Sequence, residues 1–201
     1  MENNKSEKTA LRKEILAKRN RISPPELMQY SQKICKMVTA SSRFYRAKHI
    51  LLYCNYGTEA KTGMIFEAAH SAGKNVYYPK VEGDHMCFYK VSSLAELSDG
   101  YRGIKEPYLP DRSFSNSIHS MDAMIIVPGT VFGRDGYRIG YGKGFYDRYL
   151  ADYPGLWKTG ICFSTQIVKE CPHDEYDIQM DEIVCENEVI TLNGEGEARW
   201  I

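Results

Sequence analysis

The chain has 201 residues and a mass of 23.0 kDa, and we expect it to form one domain over residues 1–201. Its 43% hydrophobic and 26% charged residues are typical of a globular protein and exclude a disordered or fibrous chain. No apolar run approaches the roughly 18 residues of a membrane span, and segment 1–14 lacks the apolar stretch of a secretory signal. We therefore expect a cytoplasmic protein with no membrane partner.

The charged residues are unevenly distributed along the chain. The formal net charge is zero, with 26 Lys and Arg against 26 Asp and Glu. Residues 1–48 hold 12 of the basic residues but 4 of the acidic ones, so the head of the chain is basic and the remainder acidic. A basic head is typical of a solvated helical face, a phosphate-binding surface or a nucleic-acid-binding module, and composition leaves these three interpretations open.

The cysteines show no metal-binding spacing. There are six, at positions 35, 54, 87, 162, 171 and 185, with no CxxC pair and no His at the spacing of zinc ligands. We interpret them as reduced thiols without a catalytic role, and a structural zinc site is not expected.

The head of the chain is expected to form two helices. Leu11, Ile15 and Ile22 lie on one helical stripe, which predicts a first helix over residues 5–21. A capping box then begins a second helix, because Ser23 is followed by prolines in the first turn and by Glu26 three residues later.

From residue 49 onward, short apolar runs alternate with helical stretches, which predicts a parallel sheet. In chain order, we predict a strand at 49–54, a helix ending near Ala72, a strand at 76–79, a hairpin turn at 82–84, a short helix at 92–98, a buried central strand at 123–128, a long glycine-rich loop, a helix at 145–153, and extended segments at 159–164 and 182–190. The predicted fold class is α/β: a three-layer α/β/α sandwich with a Rossmann-like, mostly parallel sheet and an N-terminal helical pair.

The glycine-rich loop carries the strongest functional signal. Six of the 16 glycines lie between Gly129 and Gly144, after the most hydrophobic strand and before a helix. Open α/β sheets bind ligands at this place, where glycines let backbone N–H groups approach an anion and the helix presents its positive end. Arg138 and Lys143 add cationic side chains. A long structural turn is the alternative interpretation.

Two well-known phosphate loops do not match. A Walker A motif needs a glycine six residues before Lys143 and Ser or Thr after it, but these positions hold Tyr137 and Gly144. The dinucleotide fingerprint also fails, because the third glycine of Gly140-Tyr141-Gly142-Lys143-Gly144 comes one residue early. Any nucleotide therefore binds in another way.

The segment from Val127 to Arg148 resembles the signature of the 5-formyltetrahydrofolate cyclo-ligase family nearly throughout. Further matching pieces, in chain order, are Lys8-x-x-x-Arg12, the acidic turn around Glu59, Tyr78-Pro79-Lys80, Gly103-Ile104-Lys105-Glu106-Pro107, His173-Asp174 and Met180-Asp181-Glu182. Matches in this order from residue 8 to residue 186 are specific, whereas Lys8-x-x-x-Arg12 or the Glu59 turn alone is a weak signal.

The resemblance implies a monomeric enzyme that uses ATP and Mg²⁺ to convert 5-formyltetrahydrofolate into 5,10-methenyltetrahydrofolate, releasing ADP and phosphate. The γ-phosphoryl group would pass to the formyl oxygen, a poor leaving group, and the neighbouring folate amine would attack the resulting iminium phosphate. Phosphoryl transfer depends on charge neutralisation and alignment, so cations and backbone amides should outnumber acid–base residues. A small-molecule substrate and no nucleic-acid partner are expected.

The resemblance also implies roles for individual residues. Residues expected to bind ATP are Lys8, Thr9, Ala10, Leu11, Arg12, Arg138, Ile139, Gly140, Tyr141, Gly142, Lys143, Gly144, Phe145 and Tyr146, with Lys143 and Arg138 as catalytic residues. Residues expected to bind folate are Cys54, Glu59, Tyr141, Gly142, Lys143, Gly144 and Phe145. Asp147 and Asp181 are expected to hold Mg²⁺ at a shared carboxyl edge, because Asp181 precedes a strand expected beside the central one.

Several of these residues also have ordinary structural interpretations. Lys8 or Arg12 alone is typical of a solvated helix position, Asp147 of helix-start stabilisation and Asp181 of a turn. Cys54 is typical of a core thiol. Tyr56 is either a ring that stacks on folate or a core residue, and His173 is interpreted as a loop residue.

Two other functions are alternatives to the cyclo-ligase activity. One is a sugar-phosphate isomerase or CoA-transferase-like enzyme on a similar sheet, which would use a carboxylate and no ATP. The other is a nucleic-acid or regulatory binding module that uses the basic head. The intact loop from Arg138 to Arg148, together with the acid pair Asp147 and Asp181, argues against both.

Overall fold

The computed structural model describes residues 2–108, 114 and 122–192. The α-helices of this part are α1 (Glu2–Arg19), α2 (Pro24–Ala40), α3 (Ser42–Arg46), α4 (Gly63–Ser71) and α5 (Phe145–Asp152). Its strands are β1 (His49–Leu51), β2 (Asn75–Glu82), β3 (His85–Lys90), β4 (Leu97–Asp99), β5 (Lys105–Pro107), β6 (Ala123–Val127), β7 (Val131–Gly133), β8 (Arg138–Ile139), β9 (Trp157–Ile161), β10 (Ile167–Val168), β11 (Glu182–Val184) and β12 (Val189–Thr191).

The main sheet has seven strands in the order β12-β11-β9-β6-β1-β2-β3. The five inner strands are parallel, whereas β3 and β12 pair antiparallel at the two edges. The predicted central strand is β6, and all of its residues are buried. Burial of consecutive residues means that both faces of the strand are covered. The mostly parallel α/β sheet predicted from the sequence is thus confirmed.

Helices cover both faces of this sheet. On one face, α2 and α4 pack side chains such as Ile34 and Ile65 against alternate strand residues, including Ile50 and Ile126. On the other face, Leu150 of α5 packs in a second core cluster. Burial of apolar area of this kind is the main favourable term in folding. No helix in the described part of the chain combines the length and apolar character required to cross a bilayer.

The predicted N-terminal helical pair is present, but its two members pack on different surfaces. The capping box of α2 forms as expected, with Ser23 and Glu26 bonding each other's backbone N–H groups. Helix α2 packs on the main sheet, whereas Ile15 of α1 is buried against Val131 and Ile139 of a smaller sheet.

Two strands of that smaller sheet, β7 and β8, lie within the segment predicted to be a long loop, and here the prediction is wrong. Strands β7 and β8 form a hairpin, and β10 pairs with β7 in parallel. The turn contains Asp135 and Gly136, whose φ of +87° suits glycine. Strands of two or three residues show too little alternation to be recognised in the sequence.

Other local predictions hold with shifted boundaries. The hairpin turn after β2 is observed, since Glu82 pairs with His85. The predicted short helix is a 3₁₀ turn at Leu94–Glu96. The last extended segment is divided into β11 and β12, which pair antiparallel.

Candidate active site

The candidate site lies where two neighbouring parallel strands end. Strands β1 and β6 pair in parallel, with Leu51 opposite Ile125. The turn that contains Glu59 follows β1, and the glycine-rich segment follows β6. Because parallel strands present their carboxyl ends at one edge, the sheet brings these two predicted segments together.

The short loop Gly140–Gly144 connects β8 to α5. Gly142 and Gly144 have φ values of +89° and +65°, which side-chain-bearing residues rarely adopt. A Cβ added to Gly140 would meet no atom within 4 Å, so the space beside this residue is open. Tyr141, Gly142 and Lys143 are exposed. The loop therefore offers open backbone beside a cationic side chain, as an anion requires.

Arg12 approaches this loop from α1. Its Nε donates to the Gly140 carbonyl oxygen at 2.7 Å, and its guanidinium also lies beside Gly142. Burial of Ile15, one turn further along α1, fixes the helix against the small sheet. Helix α1 and the loop are therefore close enough to contact the same ligand. Thr9 and Ala10, also expected to bind ATP, are exposed on α1.

Lys8 is held by acidic residues of another loop. Its Nζ lies 2.7 Å from Asp174 and 2.5 Å from Asp177. Burial lowers the pKa of Lys8 and these two ion pairs raise it, with a net upward shift. His173, in the same loop as expected, stacks on Tyr137 with ring centroids 3.6 Å apart.

Arg138 is buried rather than exposed on the loop surface. Its Nη1 lies 2.9 Å from Asp147 Oδ1 and 3.3 Å from the Ile178 carbonyl oxygen. Its Nε is buried without a hydrogen-bond partner in the described part of the chain. The guanidinium thus joins the start of α5 to the segment before β11 and retains one unused donor.

The two acidic residues expected at the metal have separate cationic partners. Asp147 Oδ1 accepts from Arg138 and from the Ile178 N–H, the latter at 3.2 Å. Asp181 accepts from the Lys158 backbone N–H at 2.7 Å and lies 2.8 Å from its Nζ. Among the described residues, no group of three or more His, Cys, Asp or Glu side chains is arranged to hold a metal ion.

The expected position of Asp181 requires a correction. Strand β11 pairs with β9, and β9 separates it from β6. Asp181 is bonded to Lys158, which pairs with Ile125 in the middle of β6. Asp181 therefore lies at the amino end of its strand and not at the carboxyl edge. Alternation places it on the face of Ile183, whose core cluster also contains residues of α5.

Glu59 is the buried acid of the site, with 5% of its surface exposed. Its Oε2 accepts from the Tyr56 N–H at 2.7 Å. Burial raises the pKa of Glu59, while the Tyr56 N–H and the Arg19 charge lower it, with a net upward shift. Tyr56 is 47% exposed and meets the Tyr141 ring edge-on at 6.3 Å, so it is not a core residue.

Cys54 and Tyr146 line the interior beside Glu59. Burial, with the charge of Glu106, raises the pKa of Cys54 to about 12. The thiol is thus protonated at neutral pH and is a poor nucleophile. Burial and the charge of Glu59 raise the pKa of Tyr146 as well.

Sequence reasoning missed two arginines at this site. Arg19 is buried, with 3% exposed, and bonds Tyr141; its spacing from Lys8 and Arg12 on one helical face was the available signal. Arg148 joins the carbonyl oxygens of Lys143 and Asp84, at 2.9 and 3.0 Å. It borders an open hollow of about 440 Å³ that Lys143 and Phe145 also line.

Comparisons with known proteins agree with this arrangement. The model of the 5-formyltetrahydrofolate cyclo-ligase family matches residues 4–186. A probable 5-formyltetrahydrofolate cyclo-ligase of Schizosaccharomyces pombe is 34% identical over 172 residues, 78% of this chain and 84% of that protein. The 5-formyltetrahydrofolate cyclo-ligase of Mus musculus is 28% identical over 193 residues, 90% of this chain and 95% of that protein.

A solved structure shows the same architecture. The NMR structure of 5,10-methenyltetrahydrofolate synthetase from Aquifex aeolicus has a TM-score of 0.81 and 34% identity, and the match covers 96% of each chain. A family match over most of the length, together with the same fold, leads to one conclusion. The chain belongs to the 5-formyltetrahydrofolate cyclo-ligase family.

Proposed function

We propose that this protein converts 5-formyltetrahydrofolate into 5,10-methenyltetrahydrofolate in an ATP- and Mg²⁺-dependent reaction. Membership of the cyclo-ligase family supports the activity. The observation that carries it in this chain is the open glycine loop, which has Arg12 on one side and the buried acid Glu59 near Tyr141. One site thus offers features suited to a polyphosphate and to a pterin.

The residues of the loop fit a triphosphate. The open space at Gly140 and the exposed backbone at Gly142 are each suited to a phosphate oxygen. We assign nucleotide binding to segment 8–12 and to residues 138–146, with Arg12 and Lys143 as cations beside the open loop. Bound ATP supplies the phosphoryl group that makes the formyl oxygen a leaving group.

Asp147 is the carboxylate better placed to hold Mg²⁺. Among the described residues, both of its hydrogen bonds use Oδ1, so Oδ2 can face a cation beside the loop. A magnesium ion needs one or two protein carboxylates, because phosphate and water complete its octahedron. Asp181 is retained as the second carboxylate, although Lys158 binds it here.

Folate recognition is assigned to Glu59 and the aromatic rings beside it. A pterin has a flat face and an edge with donors, so the Glu59 carboxylate can accept from its amino-pyrimidine while the rings of Tyr141 and Tyr56 contact its face. Cys54 contributes an uncharged, half-buried surface. Substrate and phosphate would then meet at the loop segment Tyr141–Phe145.

In this arrangement Lys143 acts on developing charge and not as an acid or base. Its side chain is exposed beside the loop, where an ammonium group stabilises a transferring phosphoryl group. Arg138 would orient the loop and the Asp147 carboxylate. The neighbouring amine of the substrate is the nucleophile, so no protein nucleophile is required.

The activity is tested by incubating the purified chain with 5-formyltetrahydrofolate, ATP and Mg²⁺ and following the absorbance of the methenyl product. We expect product and ADP in equal amounts, and no product when a non-hydrolysable ATP analogue replaces ATP. Product formation without ADP release would contradict the ATP-dependent mechanism, and absence of product would contradict the cyclo-ligase function.

A further inference from the structure

Arg19 is a buried cation to which the proposed reaction gives no role. It is the last residue of α1, and 3% of its surface is exposed. Its neighbour Lys18 shows what a basic residue in the last turn normally does, because it pairs with Glu14 and remains half-exposed. A buried guanidinium is costly unless its N–H groups are paired, so the contacts of Arg19 require a specific explanation.

Those contacts reach both the glycine loop and the turn that follows β1. Arg19 Nη2 donates to the Tyr141 hydroxyl at 2.8 Å, and Nε donates to Thr58 Oγ1 at 3.1 Å. Nη1 lies 3.5 Å from the carbonyl oxygen of Gly129, just after β6. One side chain thus joins the glycine loop, the turn after β1 and the end of the central strand.

Glu59 belongs to the turn that Arg19 contacts through Thr58. Its Oε2 accepts from the Tyr56 N–H at 2.7 Å, and the Tyr56 ring meets the Tyr141 ring edge-on at 6.3 Å. Glu59 faces charged or titratable groups from several elements: Arg19 of α1, Lys61 of its own segment, Tyr53 beyond β1, Tyr141 of the loop and Tyr146 of α5. Of these groups, Arg19 and Lys61 carry positive charge. Lys61 is on the turn of Glu59 itself, so Arg19 is the cation that connects Glu59 to the loop.

We propose that Arg19 is a positioning residue that holds the Tyr141 hydroxyl and the turn carrying Glu59 in one arrangement for folate recognition. The proposal rests on the proposed function, because that function assigns the pterin to Glu59. It adds a residue that acts through Tyr141 and Glu59 without touching the substrate. Helix docking alone would instead make Arg19 a structural anchor of α1.

The first test separates these two roles by measuring the dissociation constants of 5-formyltetrahydrofolate and of a non-hydrolysable ATP analogue for the full chain. Arg19→Met should weaken folate binding by a factor of about 10 to 100 and nucleotide binding by less than about 3. Arg19→Lys keeps the charge and should recover most of the folate affinity. Lys18→Met, the exposed neighbour, should change neither constant.

An equal loss of both affinities in Arg19→Met would overturn the proposal, because a displaced α1 also moves Arg12. Unchanged folate affinity would overturn it as well. If Arg19→Met does not fold, Tyr141→Phe tests the same contact by deleting a single hydroxyl. It should raise the folate dissociation constant by a similar factor, and an unchanged constant would refute the proposal.

The second test does not depend on the reaction. The carboxyl carbon of Glu59 is titrated by NMR in the ligand-free wild type, in Arg19→Met and in Arg19→Lys. Loss of the positive charge should raise the midpoint, and Lys should restore it. An unchanged midpoint in Arg19→Met overturns the proposal. If the wild type neither binds nor converts formyl folate, the proposed function fails, while this titration still decides the role of Arg19.

Discussion

Arg12 donates its Nε–H to the carbonyl oxygen of Gly140 at 2.7 Å, across 128 residues of sequence. This contact attaches the basic head of the chain to the loop that follows the central part of the sheet. It uses the guanidinium edge at Nε, so the two terminal nitrogens can face the open space beside Gly140 and Gly142. The contact therefore brings a cation of the basic head to the loop that we propose binds phosphate.

Replacement of Arg12 by Ala should weaken nucleotide binding and leave folate binding nearly unchanged. The loss of one charge-assisted contact corresponds to a factor of about 10 to 100 in the dissociation constant of ATP. Titration calorimetry with each ligand measures both constants. Lys13→Ala removes a neighbouring exposed charge and serves as the control. An unchanged ATP constant in Arg12→Ala would exclude Arg12 from the nucleotide site.

The parts of this site that the sequence predicted are those with local signals. A continuous apolar run indicated the central strand ending at Val127, because a strand covered on both faces does not alternate. Glycines at the start of a helix indicated the loop, and positive φ values at Gly142 and Gly144 explain why glycine is needed there. Each signal lies within a few residues of the structure it specifies.

The parts that were missed depend on distant contacts. Burial of Arg19 results from its contacts with Tyr141 and Thr58. The sequence signal was limited to its position on the helical face of Lys8 and Arg12, which does not reveal those contacts. The position of Asp181 depends on β9 lying between β6 and β11 in the sheet, and the local spacing of residues does not specify the order of strands. Contacts between segments distant in the sequence determine both the burial of Arg19 and the position of Asp181.

Lys143→Ala should lower turnover more than it lowers nucleotide affinity. The side chain is exposed beside the loop, where a positive charge acts most strongly on charge that develops during transfer. We expect both kcat and kcat/KM to fall by roughly 100-fold. Steady-state kinetics with each substrate varied in turn measure the two parameters.

The control for this substitution is Lys169→Ala, which removes an exposed lysine that has a long 3.8 Å pairing with Glu170. It should leave kcat and KM unchanged. A raised KM for ATP with normal kcat in Lys143→Ala would show that Lys143 contributes to ground-state binding alone.

Glu59→Gln should reduce folate affinity while changing how stability depends on pH. Burial raises the pKa of Glu59 in the folded state, so the folded chain holds this proton more tightly than the unfolded chain does. In the wild type, stability must then fall as pH rises from the ordinary glutamate value through the raised one. The substitution removes this contribution, so its unfolding free energy relative to wild type should increase with pH.

Chemical denaturation at several pH values between 4 and 8 (roughly the range that spans carboxylate titration) measures this dependence. Glu67→Gln, which removes the charge of an exposed acid, provides the control. In parallel, the KM for 5-formyltetrahydrofolate should rise by about 10- to 100-fold in Glu59→Gln, because a charge-assisted acceptor is lost. A normal KM would contradict folate recognition by this carboxylate.

Asp147 and Asp181 should differ in what their removal does, because their partners differ. Asp147→Asn keeps an oxygen for the Ile178 N–H but loses the charge, so the Mg²⁺ concentration needed for half-maximal activity should rise. Asp181→Asn leaves the mostly buried Lys158 ammonium without its anion and should also lower the melting temperature. Metal titrations and thermal melting separate the two effects.

Lys158→Met in the Asp181→Asn background decides whether Asp181 binds the metal or only supports the fold. Removing the unpaired ammonium should recover most of the lost stability, because a buried charge without a partner costs more than an apolar side chain of similar length. If Asp181 is a magnesium ligand, the double variant folds normally and still needs more Mg²⁺ than wild type. If Asp181 is purely structural, the magnesium requirement returns to the wild-type value together with the melting temperature, and Asp147 is then the one carboxylate of this pair that holds the ion.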